Sequence, residues 1–223
     1  MMTTNDKIIE LFKEHFKASN FSQKCTASSF SCPYLEECKV DIRKEPSWTP
    51  ALGDDSTKIM VVAEAPSAKG GPGPHIGGYV KDWTNEESVN ALFRFIGNCF
   101  HTVPHFTDLM KCGLRRQTKE KKGEMFKSRI RNCIEQFLLK EISIINPESI
   151  LCVGKTSFDA LEREQEEGRI NRSIKLFYLI HYGKQANLPL DNIDKEEIVW
   201  PYQVNKLPRE KIMELSFFKK STE

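Results

Sequence analysis

Three polar side chains lie at or near the ends of predicted β-strands: Glu64 after the first, Asp108 within or after the second, and His181 after the fourth. The carboxyl ends of parallel strands meet at one edge of a sheet, where ligands bind, so the three side chains form a candidate site. A carboxylate can orient water and stabilise a developing cation, and a neutral imidazole can donate a hydrogen bond to a developing anion. Taken alone, each of them fits a helix cap or a surface position more simply.

Seven cysteines form the second group of chemically active residues. Cys25, Cys32 and Cys38 lie near the N-terminus, and Cys112 and Cys133 flank a basic loop. The N-terminal stretch is charged and amphipathic, which is not typical of a signal peptide, and no apolar run approaches membrane-spanning length. We therefore expect a cytoplasmic, reducing environment, in which cysteines favour metal ligation or burial over disulfides.

The remaining cysteines, Cys99 and Cys152, lie within helix and strand patterns, and we expect them to be core residues.

Basic residues are concentrated between Lys111 and Arg131, where nine Lys or Arg accompany two acidic residues. This patch suits a phosphate backbone, although a solvated loop and helix face would have the same composition. The formal net charge of the whole chain is only +2, which by itself predicts no partner.

Hydrophobic periodicity predicts strands that alternate with helices. A first helix carries Ile8, Leu11, Phe12 and Phe16 behind the possible caps Asn5 and Asp6, and Thr84 with Glu87 has capping-box spacing for a second. A long helix has the apolar face Phe126, Ile130, Cys133, Ile134, Phe137, Leu138 and Ile142, and a later helix follows Gly154 with Thr156 or Ser157 as its cap. Strands are predicted at 58–63, 105–111, 148–153 and 174–180.

This alternation predicts an α/β fold of three layers, α/β/α, with a central, mostly parallel four-stranded sheet. With 223 residues, of which 39% are hydrophobic, the chain can bury one sizeable core. We expect a single compact, monomeric domain: an N-terminal helix and cysteine-bearing segment at 1–57, the α/β core at 58–187 and a C-terminal extension at 188–223.

Four motifs in a fixed order give the chain a family resemblance. "AEAPS" at 63–67, "FTDLMKC" at 106–112, "NPESILCVGKTSFDAL" at 146–161 and "FYLIHYGKQAN" at 177–187 are similar to motifs of the iron–sulfur uracil-DNA glycosylases, families 4 and 5 of that superfamily. The resemblance runs from about Cys25 to Asn187. It implies the α/β/α fold, DNA as the partner, in single or double strands, and a [4Fe–4S] cluster.

For the cluster, the resemblance implies the ligands Cys25, Cys32, Cys112 and Cys133. The family's N-terminal pair is usually C-x-x-C, whereas the spacing here is longer, and Cys38 is the first substitute. Zinc is the less favoured alternative, because four thiolates also suit a tetrahedral site.

For the reaction, the resemblance implies hydrolysis of the N-glycosidic bond of a base flipped out of DNA, by a monofunctional enzyme that leaves an abasic site. Glu64 would orient the water and His181 would donate to the departing base. Tyr79 would stack on the base, with an ordinary core aromatic as the alternative. The remaining substrate pocket would comprise Ala65, Pro66, Asp108 and Asn187. Contacts to the DNA backbone would come from Ser67, Arg115, Arg116, Lys184 and Gln185.

Two departures from the family's motifs leave other functions open. Asp108 stands where the family usually has Asn, and Tyr182 stands where it has Pro. An ionised carboxylate cannot donate to a uracil oxygen, so a different deaminated or modified base is an alternative substrate. Asp108 could instead be an ion partner of the basic loop. A catalytically inactive DNA-binding protein of the same fold and an enzyme that acts on free nucleosides are further alternatives.

Overall fold

The structure, a computed structural model, describes residues 2–13, 32–34, 36–38, 47–48, 50–66, 73–74, 102–112 and 123–179. In chain order the elements in these ranges are α1 (Thr4–Lys13), β1 (Ser47–Trp48), β2 (Ile59–Ala63), β3 (Gly73–Pro74), β4 (His105–Asp108), α2 (Glu124–Cys133), a π-helical segment π1 (Ile134–Leu138), α3 (Leu139–Ile145), β5 (Ser149–Val153), α4 (Lys155–Glu166) and β6 (Lys175–Leu179). The predicted helix from Thr84, the position of Phe16, Cys99 and the predicted extension at 188–223 lie outside the described residues.

A four-stranded parallel sheet in the order β4-β2-β5-β6 forms the centre of the molecule. The strands β2, β4 and β5 are almost completely buried, and they read as continuous apolar or mixed runs because helices cover both faces of the sheet. The predicted α/β architecture with a central, mostly parallel four-stranded sheet is confirmed. The short strands β1 and β3 pair in parallel as a separate two-stranded sheet, which the sequence pattern did not predict.

Thr3, which was not predicted, is the N-cap of the first helix, and only one of the two predicted residues takes part in the cap. The amide of Thr3 donates to Asp6 Oδ2 at 3.0 Å, and the amide of Asp6 donates to Thr3 Oγ1 at 3.1 Å, which is a reciprocal capping box. Asp6 thus takes part as predicted, whereas Asn5 does not cap the helix. The Asn5 side chain bonds to the main chain of Gly53 in both directions, so it attaches α1 to the segment before β2.

The predicted long helix is continuous from Glu124 to Ile145 but contains the π-helical segment π1, which the pattern did not predict. Its predicted apolar face is largely confirmed, since Cys133, Ile134, Phe137, Leu138 and Ile142 are buried. The ring of Phe137 stacks on that of Phe12 in α1, with ring centroids 5.1 Å apart.

The prediction that Thr156 or Ser157 caps the next helix is wrong. The N-cap of α4 is Gly154, with φ of 83° and no side-chain cap, and both hydroxyl residues lie inside the first turn. A non-glycine residue would be strained at this φ, so the chain turns from β5 into α4 at the glycine. Cys152, in the preceding strand, is fully buried and is a core residue as predicted.

An ion pair is completely buried between the sheet and α3. Lys111 Nζ lies 2.6 Å from Glu141 Oε2, and both side chains are 0% exposed. The Lys111 ammonium also donates to Thr107 Oγ1, and Glu141 Oε1 accepts the amide of Ala51 at 3.0 Å. Burial raises the pKa of Glu141, and the Lys111 charge and the hydrogen bonds that Glu141 accepts from Lys111, Ala51 and Thr107 oppose that shift. The pair therefore ties three separated parts of the chain together.

Among the helices that the structure describes, none is both long and apolar enough to cross a membrane.

His105, at the start of β4, provides a test of the packing. The imidazole is 0% exposed, and burial lowers its pKa below the usual value. In the unfolded chain this histidine takes up a proton at about pH 6.5, whereas in the folded chain it resists protonation. The free energy of unfolding should therefore fall as the pH is lowered from about 6.5 toward the folded-state pKa, by up to about 1.4 kcal/mol per pH unit. Urea unfolding at about pH 7.5 and about pH 5.5 measures this fall. In His105→Gln the fall should be smaller, and an equal fall in the variant would contradict the assignment.

Candidate active site and cysteine pocket

Two of the three predicted strand-end residues lie at one edge of the sheet. Ala63 at the end of β2 pairs with Asp108 at the end of β4, so Glu64 follows directly beside Asp108 along that edge. Glu64 is half-buried, whereas Asp108 is only 1% exposed. The expectation that these carboxylates share a strand-end edge is confirmed.

The turn after β4 fixes the main chain at this edge. The predicted strand continued to Lys111, but β4 ends at Asp108. The amides of Leu109 and Met110 donate to the carbonyls of Ala63 and Glu64, at 2.7 and 3.0 Å. The turn therefore crosses the end of β2 and holds the backbone that carries Glu64.

The other two strands end at the same edge. Val153 at the end of β5 pairs with Leu179 at the end of β6, and His181 follows two residues later, outside the described residues. The N-terminus of α4 begins here at Gly154. Amides in the first turn of a helix favour anions. This helix start was not among the predicted site features, although Gly154, which closes a buried strand before a helix, was the signal for it.

Four cysteines line a pocket between the segment 32–38, the turn after β4 and helix α2. Its lining residues are Cys32, Tyr34, Cys38, Met110, Cys112, Arg129, Asn132 and Cys133. Three of the predicted ligands thus lie together, and the fourth thiol is Cys38, which was the predicted substitute. Cys25 lies outside the described residues.

Main-chain and side-chain donors surround these sulfur atoms. The amide of Lys111 donates to Cys133 Sγ at 3.4 Å, and Asn132 Nδ2 donates to Cys38 Sγ at 3.7 Å. Arg129 is buried and its Nε donates to the Cys38 carbonyl at 2.6 Å. These contacts attach the N-terminal cysteine segment to α2.

Burial raises the pKa of all four thiols: Cys32, Cys38, Cys112 and, to about 12, Cys133. At Cys112 the neighbouring thiols raise it further, and the positive charge of Arg129 opposes the shift. The four thiols are therefore protonated at neutral pH unless a positive charge stabilises their thiolate forms. Deprotonated thiolates in this pocket would require positive charge such as a metal centre supplies.

The donor set fits such a centre in residue type. Four cysteines on one pocket are the ligands that iron–sulfur clusters and structural zinc use. Nevertheless, in the part of the chain that the structure describes, no group of three or more His, Cys, Asp or Glu residues is arranged to hold a metal ion. The structure thus establishes a pocket that four cysteines share.

Of the remaining predicted site residues, the structure describes two. Ala65 is half-buried and Pro66 is buried, and both continue the edge after Glu64. The others lie outside the described residues: Ser67, Tyr79, Arg115, Arg116, Lys184, Gln185 and Asn187.

Comparison with known proteins identifies the family. A family model described as the uracil DNA glycosylase superfamily matches residues 50–202, which is more than half of the chain and includes both the strand-end edge and the pocket residues Cys112 and Cys133. A search of curated proteins found no match. The chain therefore belongs to the uracil DNA glycosylase superfamily. This membership indicates DNA glycosylase activity and implies DNA as the substrate.

Proposed function

We propose that this member of the uracil DNA glycosylase superfamily hydrolyses the N-glycosidic bond of a deaminated or otherwise modified base that is flipped out of DNA, and leaves an abasic site. The observation that carries the proposal is the half-buried carboxylate of Glu64 beside the buried Asp108, at the edge where parallel strands end. Ligands of open parallel sheets bind at this edge.

Glu64 would act on the sugar side of the bond. In the transition state positive charge develops on the sugar, and an ionised carboxylate stabilises it and orients the attacking water. The hydrogen bond from the Met110 amide to the Glu64 carbonyl supports this role, because it fixes the main chain from which the carboxylate projects. The adjacent Ala65 and Pro66 would line the pocket around the sugar and base.

His181 would act on the departing base. Negative charge develops on the base, and a neutral imidazole can donate to a base oxygen without delivering a proton. The parallel pairing of β6 with β5 supports this role, since His181 follows β6 by two residues. Tyr79 would stack on the flipped base and Asn187 would complete the pocket.

Asp108 would determine which base is accepted. A carboxylate accepts hydrogen bonds from an exocyclic amine or a ring N–H, whereas an ionised one cannot donate to the second oxygen of uracil. The almost complete burial of Asp108 favours such a role over that of a solvated ion partner of the basic loop. A base other than uracil, such as hypoxanthine or a modified cytosine, is therefore the favoured substrate class.

The DNA backbone would be held by residues that follow β2, β4 and β6 along the chain. Ser67, Arg115, Arg116, Lys184 and Gln185 supply hydroxyl, amide and basic groups of the kind that contact phosphates. The affinity for DNA should consequently fall steeply as the salt concentration rises.

A [4Fe–4S] cluster in the cysteine pocket would be structural, because glycosidic hydrolysis moves no electrons. The pocket formed by Cys32, Cys38, Cys112 and Cys133 supports Cys38 as the fourth ligand, with Cys25 as the alternative. Through its ligands such a cluster would link the N-terminal segment to α2 and to the turn after β4. Zinc is the alternative occupant.

Substitution of Glu64 and His181 tests the proposed catalytic pair. Glu64→Gln should lower kcat by about 100-fold or more, and His181→Ala by a similar factor, because each removes stabilisation of transition-state charge. Affinity for the same oligonucleotide should change little. Turnover is measured as abasic sites cleaved by alkali, and affinity as fluorescence anisotropy. Wild-type turnover in both variants would mean that the site lies elsewhere.

Substitution of Asp108 tests whether this residue determines which base is excised. Asp108→Asn restores a side chain that both donates and accepts, so activity on uracil relative to hypoxanthine should rise by about tenfold or more, equivalent to one hydrogen bond of about 1.4 kcal/mol. The ratio is measured on oligonucleotides that differ only in that base. An unchanged ratio would remove Asp108 from the specificity determinants.

Metal analysis distinguishes Cys38 from Cys25 as the fourth ligand, and iron from zinc as the metal. Purified anaerobically, the protein should be brown and contain about four irons per chain. Cys38→Ser should lose most of this iron, whereas Cys25→Ser should keep it, and Cys152→Ala is the control because that thiol is buried outside the pocket. Iron loss in Cys25→Ser alone would reverse the ligand assignment, and zinc in place of iron would refute the cluster.

A further inference from the structure

The buried ion pair has no part in the proposed chemistry, and its cost requires an explanation. Lys111 and Glu141 are both removed from water. Well-packed apolar residues often stabilise a core as well as such a pair does, so the pair is weak evidence for a contribution to stability. What the pair supplies is directionality, because an ammonium group bonds to particular oxygen atoms at particular places.

Lys111 lies at the centre of a set of contacts that reach the candidate site. Its ammonium bonds to Glu141 in α3 and to Thr107, the residue before Asp108. Its amide donates to Cys133 Sγ. The same turn donates from Leu109 and Met110 to the carbonyls at the end of β2.

The π-helical segment explains how a single residue can contact the long helix on both sides of that segment. Cys133 and Glu141 are eight positions apart, and in an uninterrupted α-helix their side chains would point about 80° apart. A π turn takes up an extra residue and rotates the later positions back toward the earlier ones. Both side chains therefore contact Lys111, Cys133 at its amide and Glu141 at its ammonium.

We propose that Lys111 is a positioning residue for the candidate active site. Its buried ammonium anchors the turn that follows Asp108, and that turn holds the main chain of Glu64. It contacts neither base nor sugar. The effect on turnover rests on the function proposed above, whereas the anchoring of the turn does not depend on that function.

The variant that tests this is the double substitution Lys111→Met with Glu141→Gln. The single Lys111→Met would leave a buried carboxylate without its partner and would confuse unfolding with mispositioning. In the double variant no charge is stranded, and the side-chain oxygen at position 141 can still accept the Ala51 amide. The matched control is Lys13→Met with Glu10→Gln, which removes a partly exposed ion pair on α1.

Two measurements separate positioning from a merely structural role. Hydrogen exchange of the Leu109, Met110 and Lys111 amides should speed up by about tenfold or more in the double variant, relative to the β5 amides, while the melting temperature stays close to that of the control. On a base that the wild type excises, kcat should fall by about 10- to 100-fold with little change in affinity for the oligonucleotide.

Unchanged exchange in the turn would overturn the proposal, and so would faster exchange with wild-type kcat. If the wild type excises no base at all, the proposed function fails separately. The exchange measurement then decides by itself whether Lys111 anchors the turn.

Discussion

The pairing of Lys111 with Glu141 is the interaction on which the arrangement of the molecule depends most. Removing two charges from water costs several kcal/mol per ion, and the pair can persist only where neighbouring groups complete its hydrogen bonds. Thr107 and the amide of Ala51 do so here. As a result β4, the segment before β2 and α3 are fixed to one another at a single buried point. Loss of one partner alone would leave a charge in the core.

The parallel sheet adds a second constraint, because every strand releases the chain at the same edge. The turn after β4 is short and is bonded to the end of β2, so the carboxylates of Glu64 and Asp108 lie on neighbouring strands. The same turn ends in Cys112, which lines the cysteine pocket. The cysteine pocket and the candidate strand-end site therefore share a few residues of backbone, and a change in one can reach the other without a long path.

The sequence predicted those features that depend on local pattern. The buried run before Glu64 and the apolar face of the long helix each follow from hydrophobic periodicity, and both are observed. The pattern could not show that Glu141 turns inward, because a glutamate beside Lys140 is typical of a solvent-facing position. Its buried contact with Lys111 is a tertiary interaction, and the π-helical segment that precedes it does not follow from the local pattern.

The helix caps show the same limit. Thr3 rather than Asn5 caps α1, since Asn5 is recruited by Gly53, 48 positions away along the chain. Similarly, Gly154 and not a hydroxyl residue begins α4, because the strand must turn at a positive φ. In the cysteine pocket the sequence supplied three of the four thiols. The resemblance implied Cys25 as a ligand and Cys38 only as the first substitute, because the local pattern does not show the contact that brings Cys38 against Asn132 in the folded segment.

A glycosylase assay of the wild type shows most directly whether the protein excises a base from DNA. Its substrates are single- and double-stranded oligonucleotides that contain uracil, hypoxanthine, xanthine or a modified cytosine. Alkali then cleaves any abasic site. We expect strand cleavage at one or more of these bases. Because of Asp108, we expect that uracil is not the best substrate among them. Bound DNA without cleavage at any base would contradict it and would favour a DNA-binding protein of the same fold.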